Sequence, residues 1–391
     1  MSKAVPMPAV PVAELRVTDE AVPAAAAGIV YTRAEDMGYR HAQRDTGWSL
    51  ANAVWTASAA GNEAHRFLHG KTYLWQPVFS PDGRYIAFCR YANGRGQICV
   101  AGTDGTPPVN VSANASCDRQ PAWAPDGRHI AFETDRDGRW DIALMNADGS
   151  DQRLLTRDAG FNLAPAWAPN GGALAFETDR NGDVDIYVMN ADGSGQRPIV
   201  AGPGDQKRPA WAPDGQRLAF VGLGWVYPDL SVVDLATGAV RPVAECVTYV
   251  GQPRWSPDGT RIAAVYRRND FGASEHVSGI MVVDPDGYAH MGNDADKYAV
   301  VRGQVIAPFH GGRRDPTYIP TRYSAGSASP RWVPQQFSEP VWAPDGSELA
   351  YSSNLNDGYF HVCTVTVADR TVQTLPDSSS AWLQSVDWAA P

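Results

Sequence analysis

A chain of 391 residues with a net charge of −10 and a pI near 5.3 repels nucleic acid and anionic membranes unless it gathers its cations locally. Its longest basic runs are pairs, such as Arg267-Arg268 and Arg313-Arg314, so neither a nucleic-acid partner nor a membrane surface is expected. Its 37 Gly and 30 Pro demand many turns, and its five cysteines form no CxxC, which argues against a disulfide framework and a structural zinc site.

Residues 1–27 are rich in Ala and Pro, with Pro6, Pro8, Pro11 and Pro23 interrupting any apolar run and Glu14, Asp19 and Glu20 adding charge. They read as a loose arm rather than a leader or a spanning helix, and a cytoplasmic location is the expectation. Gly28–Arg33, "GIVYTR", has the alternation of a strand, and Leu50–Leu68 reads as a strand, a turn and a further strand.

From Pro77 the chain repeats itself. "PVFSPDG" at Pro77 returns as "PAWAPDG" at Pro121, "PAWAPNG" at Pro165, "PAWAPDG" at Pro209, "PRWSPDG" at Pro253 and "PVWAPDG" at Pro340, with a half-copy, "SVDWAAP", running to Pro391. Each unit predicts four strands. The first ends at the aromatic residue, and Pro-Asp-Gly turns the chain because Pro presets φ and Gly accepts a positive one. An apolar strand ("RHIAF"), a polar turn ("TDRDGRWD"), a third strand ("DIALMN"), an "ADGS" hairpin and a more polar outer strand ("QRLLT") follow. A helix-free, four-stranded unit of this length predicts a β-propeller blade, which buries its faces only against neighbours. Trp123, Trp167, Trp211, Trp255, Trp342 and Trp388 recur once per unit and are expected between blades, not on a ligand.

The closing half-copy lacks later strands, and the segment from Gly28 lacks a first one, so the two are expected to share a blade and close the ring. The fold class predicted is all-β: one propeller domain over residues 28–391 with seven blades. The long interval from Pro253 to Pro340 admits an alternative, an eighth, degenerate blade with "KYAVVRG" (Lys297–Gly303) as a strand. Residues 280–339 are otherwise an irregular insertion. The cysteines are expected as buried thiols, with a Cys89–Cys99 pair as the alternative.

The P-x-W-S/A-P-D-G … I-A-F … D-I-Y-x-M-N-x-D-G pattern resembles the TolB-type, WD40-like (PD40) propeller repeat. That resemblance implies the fold over most of the chain but spans protein-interaction scaffolds, domains attached to peptidases, sugar lyases and natural-product enzymes. The chain is less closely similar to oligogalacturonate lyases, which implies a divalent metal on a central His/Gln cluster. Here His290 and Gln335 or Gln336 stand nearest to such a set, and three matching His are missing. Cyclophane-forming alkylating enzymes share only the repeat. No cofactor is expected from the chain's own residues, a divalent metal being the alternative.

Function is sought where the repetition breaks, because loops on a rigid frame carry it. The segments leading into the first strands converge on the channel mouth and supply Gln76, Arg119, Gln120, Lys207, Arg208, Gln252 and Glu339. Three cations in an acidic protein suit a carboxylate, sugar acid or phosphate, the alternative being that they pair with Glu339 and loop acids. Two long turns, Ala34–Ser49 and Arg267–Ser278, add Tyr39, His41, Arg267, Arg268, Glu275 and His276, and the irregular span adds His290 and His310. His41, His276, Glu275 and Tyr39 are the acid–base candidates. Arg267, Arg268, His290 and His310 are expected to bind ligand. His129 and His361 lie within repeat strands and read as structural. "DRDGRWD" and "DRNGDVD" lack the acid that completes an EF-hand loop and read as hairpin turns. Two functions stay open: a mouth that binds an anionic or polyhydroxylated small molecule, with lyase or cyclisation chemistry, and a scaffold for a peptide or protein.

Overall fold

The computed structural model describes residues 10–11, 15–17, 28–34, 52–58, 64–69, 72–157, 160–223, 228–245, 249–269, 276–287, 289–290, 303–308, 339–354, 360–375 and 385–389. These form seven sheets arranged as a propeller, antiparallel within each blade, with no helix among the described residues. We number the blades by their first strands. Blade 1 begins with Tyr73–Phe79, blade 2 with Asp118–Trp123, blade 3 with Asn162–Trp167 and blade 4 with Asp205–Trp211. Blade 5 begins with Tyr249–Val250 and Arg254–Trp255, blade 6 with Val341–Trp342 and blade 7 with Val386–Trp388.

Blade 2 shows the unit: Asp118–Trp123, His129–Thr134, Asp141–Asn146 and Arg153–Leu154, paired in that order. Its Pro-Asp-Gly turn places Gly127 at φ 65 and lets the Gly127 N–H reach the Ala124 carbonyl at 2.9 Å. The recurrent tryptophans tie blade to blade. Trp123, Trp167, Trp211, Trp255 and Trp342 donate their indole N–H to the carbonyls of Val78, Ala122, Ala166, Ala210 and Arg254 in the preceding blade, at 2.9–3.3 Å. Each ring thus fills the seam between sheets and satisfies its one polar atom there, as a structural role requires. His129 is likewise structural, its Nδ1 lying 2.7 Å from Asp126 Oδ2 in its own turn.

The ring closes as the half-copies predict. Ile29, Val30 and Tyr31 pair with Trp388, Asp387 and Val386, so blade 7 takes its first strand from the C-terminal end. The N-terminal arm, read as loose, makes two further pairings. Val10–Pro11 adds to the outer strand of blade 1 at Asn110 and Val109, and Arg16–Val17 adds to the outer strand of blade 7 at His69 and Leu68. Between them Leu15, 4% exposed, enters the core shared by blades 7 and 1 with Val30, Leu68, Leu74 and Phe88.

Among the described residues no eighth blade is formed. Gly303–Pro308 is the fourth strand of blade 5, paired with Gly279–Val283. Before it, Ala289–His290 reaches back to run parallel with Ala244 and Glu245, the outer edge of blade 4. Lys297–Val301 lies outside the described residues. Cys89 and Cys99 do not bridge: Cys89 faces Ile98 and Cys99 faces Phe88 in register, so the two thiols occupy opposite sides of the sheet and different cores. Both are buried, which pushes the Cys99 thiol up to about 12.

Candidate functional site

The first strands of blades 1 to 4 each carry a bulge just before their proline. In blade 2 the register jumps from Arg119↔Glu133 to Ala122↔Ala131, leaving Gln120 at φ 55 outside the ladder. Gln76, Ala164 and Arg208 repeat that conformation at φ 53, 53 and 62. A bulged N–H still needs a partner, and the preceding blade supplies it. Gln120 N–H donates to Gln76 Oε1 at 3.2 Å, Ala164 N–H to Glu133 Oε1 at 2.8 Å, Arg208 N–H to Glu177 Oε1 at 2.7 Å and Gln76 N–H to Ser385 Oγ at 3.2 Å. The turns between second and third strands lie beside these lead-ins: Asn162 N–H reaches the Trp140 carbonyl at 2.9 Å and Gln206 N–H the Val184 carbonyl at 2.6 Å. Bulges, lead-ins and turns therefore build one face together.

The three cations expected to make that face positive are matched by acids. Lys207 Nζ lies 2.7 Å from Asp205 and Arg208 Nη1 lies 3.1 Å from Glu339. Arg119 Nε donates to Glu133 Oε2 at 2.7 Å, and its guanidinium lies 3.7 Å from the centre of the Trp140 ring. Arg119 nevertheless differs from the other two. Its side chain is 38% exposed, and its terminal nitrogens make no hydrogen bond or ion pair among the described residues. Burial raises the Glu133 carboxyl above its ordinary value, against the Ala164 N–H and Arg119. Burial raises Glu177 too, opposed by the Arg208 N–H and Lys207, and raises Glu339 against Arg208 and Arg254. These carboxylates join blades and orient cations.

The remaining predicted residues divide. The Gln76 side chain bridges blades by accepting from Gln120 N–H and from Cys89 Sγ at 3.5 Å, while Gln120 is exposed and Gln252 Nε2 donates to the Pro209 carbonyl at 3.3 Å. Arg267, Arg268 and His276 stand on the long hairpin of blade 5, where Arg268 faces Val277 and His276 faces Asn269 at its end. His290 is placed elsewhere, in the strand along the outer edge of blade 4, because the insertion of blade 5 folds back over its neighbour and away from the first strands. Tyr39, His41, Glu275, His310, Gln335 and Gln336 lie outside the described residues. Among the described residues, no group of three or more His, Cys, Asp or Glu is placed to hold a metal ion. The sequence reading missed Glu133, Glu177, Trp140 and an aromatic group in blade 1: Tyr73, Trp75 and Tyr91. Glu133 and Glu177 sit inside the repeated "AFET" and so passed as scaffold, whereas Trp140 stands outside the register of the other tryptophans, a signal that was present.

Residues 40–208 match the TolB beta propeller domain (PD40) model. Among solved structures, TolB from Acinetobacter baumannii is similar over 89% of this chain and 81% of its own, with 17% identity and a TM-score of 0.53. An oligogalacturonate lyase from Vibrio parahaemolyticus is similar over 90% and 86%, with 11% identity and a TM-score of 0.53. A prolyl endopeptidase is similar over 88% of this chain, which spans 48% of it, with 14% identity and a TM-score of 0.55. At these identities the likeness is one of fold. No curated protein matches the chain.

Proposed function

We propose that this chain, which carries the TolB-type propeller repeat over residues 40–208, binds an anionic small molecule at its channel mouth with Arg119 as the anion hook. One observation carries the reading. The Arg119 guanidinium is fixed at Nε by Glu133 and on its face by Trp140, while its terminal nitrogens stay available at an exposed position. A guanidinium held in place presents a planar fork that matches a carboxylate or phosphate, with little ordering left to do on binding. Glu133 offsets the charge, so recognition rests on fork geometry more than on the field of the mouth.

The catalytic form of this proposal is a lyase or cyclisation reaction with His41, His276, Glu275 and Tyr39 as acid–base groups, carried by their positions in the sequence. Its non-catalytic counterpart is a scaffold for a peptide or protein. Thermal shift against acetate, phosphate, uronic acids and short peptides, with a chelator control, tests the first form. Carboxylates or phosphate should stabilise the wild type. Arg119→Gln should weaken that binding by about tenfold or more, the scale of a charge-assisted hydrogen bond, and Lys207→Gln should leave it nearly unchanged because Lys207 is committed to Asp205. A response to peptides alone, indifferent to Arg119, would favour the scaffold.

A further inference from the structure

We infer that the ligand of the mouth carries a flat aromatic ring beside its anionic group, and that Trp75, Tyr73 and Tyr91 form the ledge that receives it. This rests on the Arg119 reading and supplies the other half of the molecule.

Blade 1 departs from the repeat in the hairpin between its second and third strands. Its second and third strands pair on beyond Arg90↔Gln97 through Tyr91↔Gly96 and Ala92↔Arg95, whereas the matching hairpin of blade 2 stops at Thr134↔Asp141, the equivalent of Arg90↔Gln97. The extension lifts Tyr91 beyond its neighbours and sets it opposite Tyr73. Trp75 follows two residues along on the same side of the sheet. The ring centres of Tyr73 and Trp75 are 5.4 Å apart, and those of Trp75 and Tyr91 are 6.2 Å apart. Tyr73 is 43% exposed and Tyr91 47%, a concentration of large open rings on one edge.

The ledge adjoins the anion hook. Trp75 stands at the position in blade 1 that Arg119 holds in blade 2, since Trp75 faces Cys89 as Arg119 faces Glu133. The hydrogen bond from Gln120 N–H to Gln76 ties the two strands at that level. Gly96 lets the parts close together: a methyl group there would lie 3.3 Å from both the Trp75 ring and Cys117 Sγ, and 2.7 Å from the Asp118 carbonyl. The Gly96 N–H instead donates to Cys117 Sγ at 3.3 Å.

The surroundings select the kind of ring. The ledge is made of aromatic faces over a glycine and a thiol, apolar and polarizable apart from the Tyr73 and Tyr91 hydroxyls. The side-chain amide oxygen of Gln76, the residue after Trp75, already accepts from Gln120 and Cys89. A ring clothed in hydroxyls would leave water to lie there without equivalent partners, whereas an aryl ring gains stacking on faces already in place.

The test titrates phenylacetate, cyclohexylacetate, glucuronate and benzyl alcohol by ligand-observed NMR into the wild type, Trp75→Ala, Tyr91→Ser and Arg119→Gln. Phenylacetate should bind roughly threefold to tenfold tighter than either non-aromatic acid, and Trp75→Ala or Tyr91→Ser should erase that margin while carboxylate binding persists. Tyr91 is open to solvent, so its variant stays informative if Trp75→Ala fails to fold. Equal binding of the three acids, tighter binding of glucuronate, or a margin that survives both ledge substitutions overturns the inference and leaves the anion reading standing. Benzyl alcohol binding as well as phenylacetate, or Arg119→Gln binding the acids undiminished, overturns the anion reading on which it rests.

Discussion

Two glycines separate what a turn requires from what a neighbour requires. Gly138 and Gly149 both sit at positive φ, 83 and 84, at the tips of hairpins in blade 2. Gly138 points into open space, while a methyl group on Gly149 would fall 2.3 Å from the Val111 carbonyl oxygen of blade 1. Gly138→Ala should therefore cost about 1 kcal/mol of backbone strain, and Gly149→Ala at least twice that, because the seam between blades must also open. Urea unfolding of the two variants compares them, and equal costs would mean that the seam yields freely. The sequence marks both residues as turn glycines and cannot mark the difference, which lies across a seam. Arg119 is similar: its place at the mouth is legible from the repeat, but the carboxylate and indole that fix it are not. Glu133 is hidden by its own repetition.

The strands were legible because each blade restates the same alternation between the same turns. Two elements were not. Gly303–Pro308 belongs to blade 5, and no spacing rule reveals it after an insertion of irregular length. The arm's pairings involve two residues each, too short for any period, in a stretch whose prolines read as loose. Leu15 gives that arm its hold, since it is buried between the two short pairings in the core of blades 7 and 1. Leu15→Ala should lower stability by about 2–3 kcal/mol, a typical cost for emptying a buried leucine site. A loss no larger than that of an exposed leucine variant, in the same urea titration, would show that the arm rests on the ring without bracing it.

At the scale of the molecule the carboxylates fall into two populations. Asp118, Glu133, Glu177, Glu339 and Asp387 are raised by burial, Asp387 to about 6. Asp148, Asp192, Asp345 and Asp369, in the surface turns, are lowered by hydrogen bonds from the residues two places on. A raised carboxyl holds its proton longer in the folded state, so its contribution falls as pH rises through the window above its ordinary value. A lowered one contributes fully above its ordinary value and is lost on acidification below it. Stability should therefore climb as pH drops from about 7 towards about 4, through the Asp387 window, and the contribution of the lowered carboxyls should be lost below about 4. Asp387→Asn should flatten the part of the curve near pH 6, which thermal melts across that range can read; a flat wild-type curve would contradict the assignment. Asp387 also accepts the Phe79 N–H at 2.8 Å from the next blade, at the seam where the two ends of the chain meet. That seam gives the ring a history as well as a shape. Residues 29–31 leave the ribosome hundreds of residues before residues 386–388, their partners. Throughout synthesis the strand at Ile29–Ala34 waits with one edge unclaimed, open to the wrong neighbour until the last strand arrives.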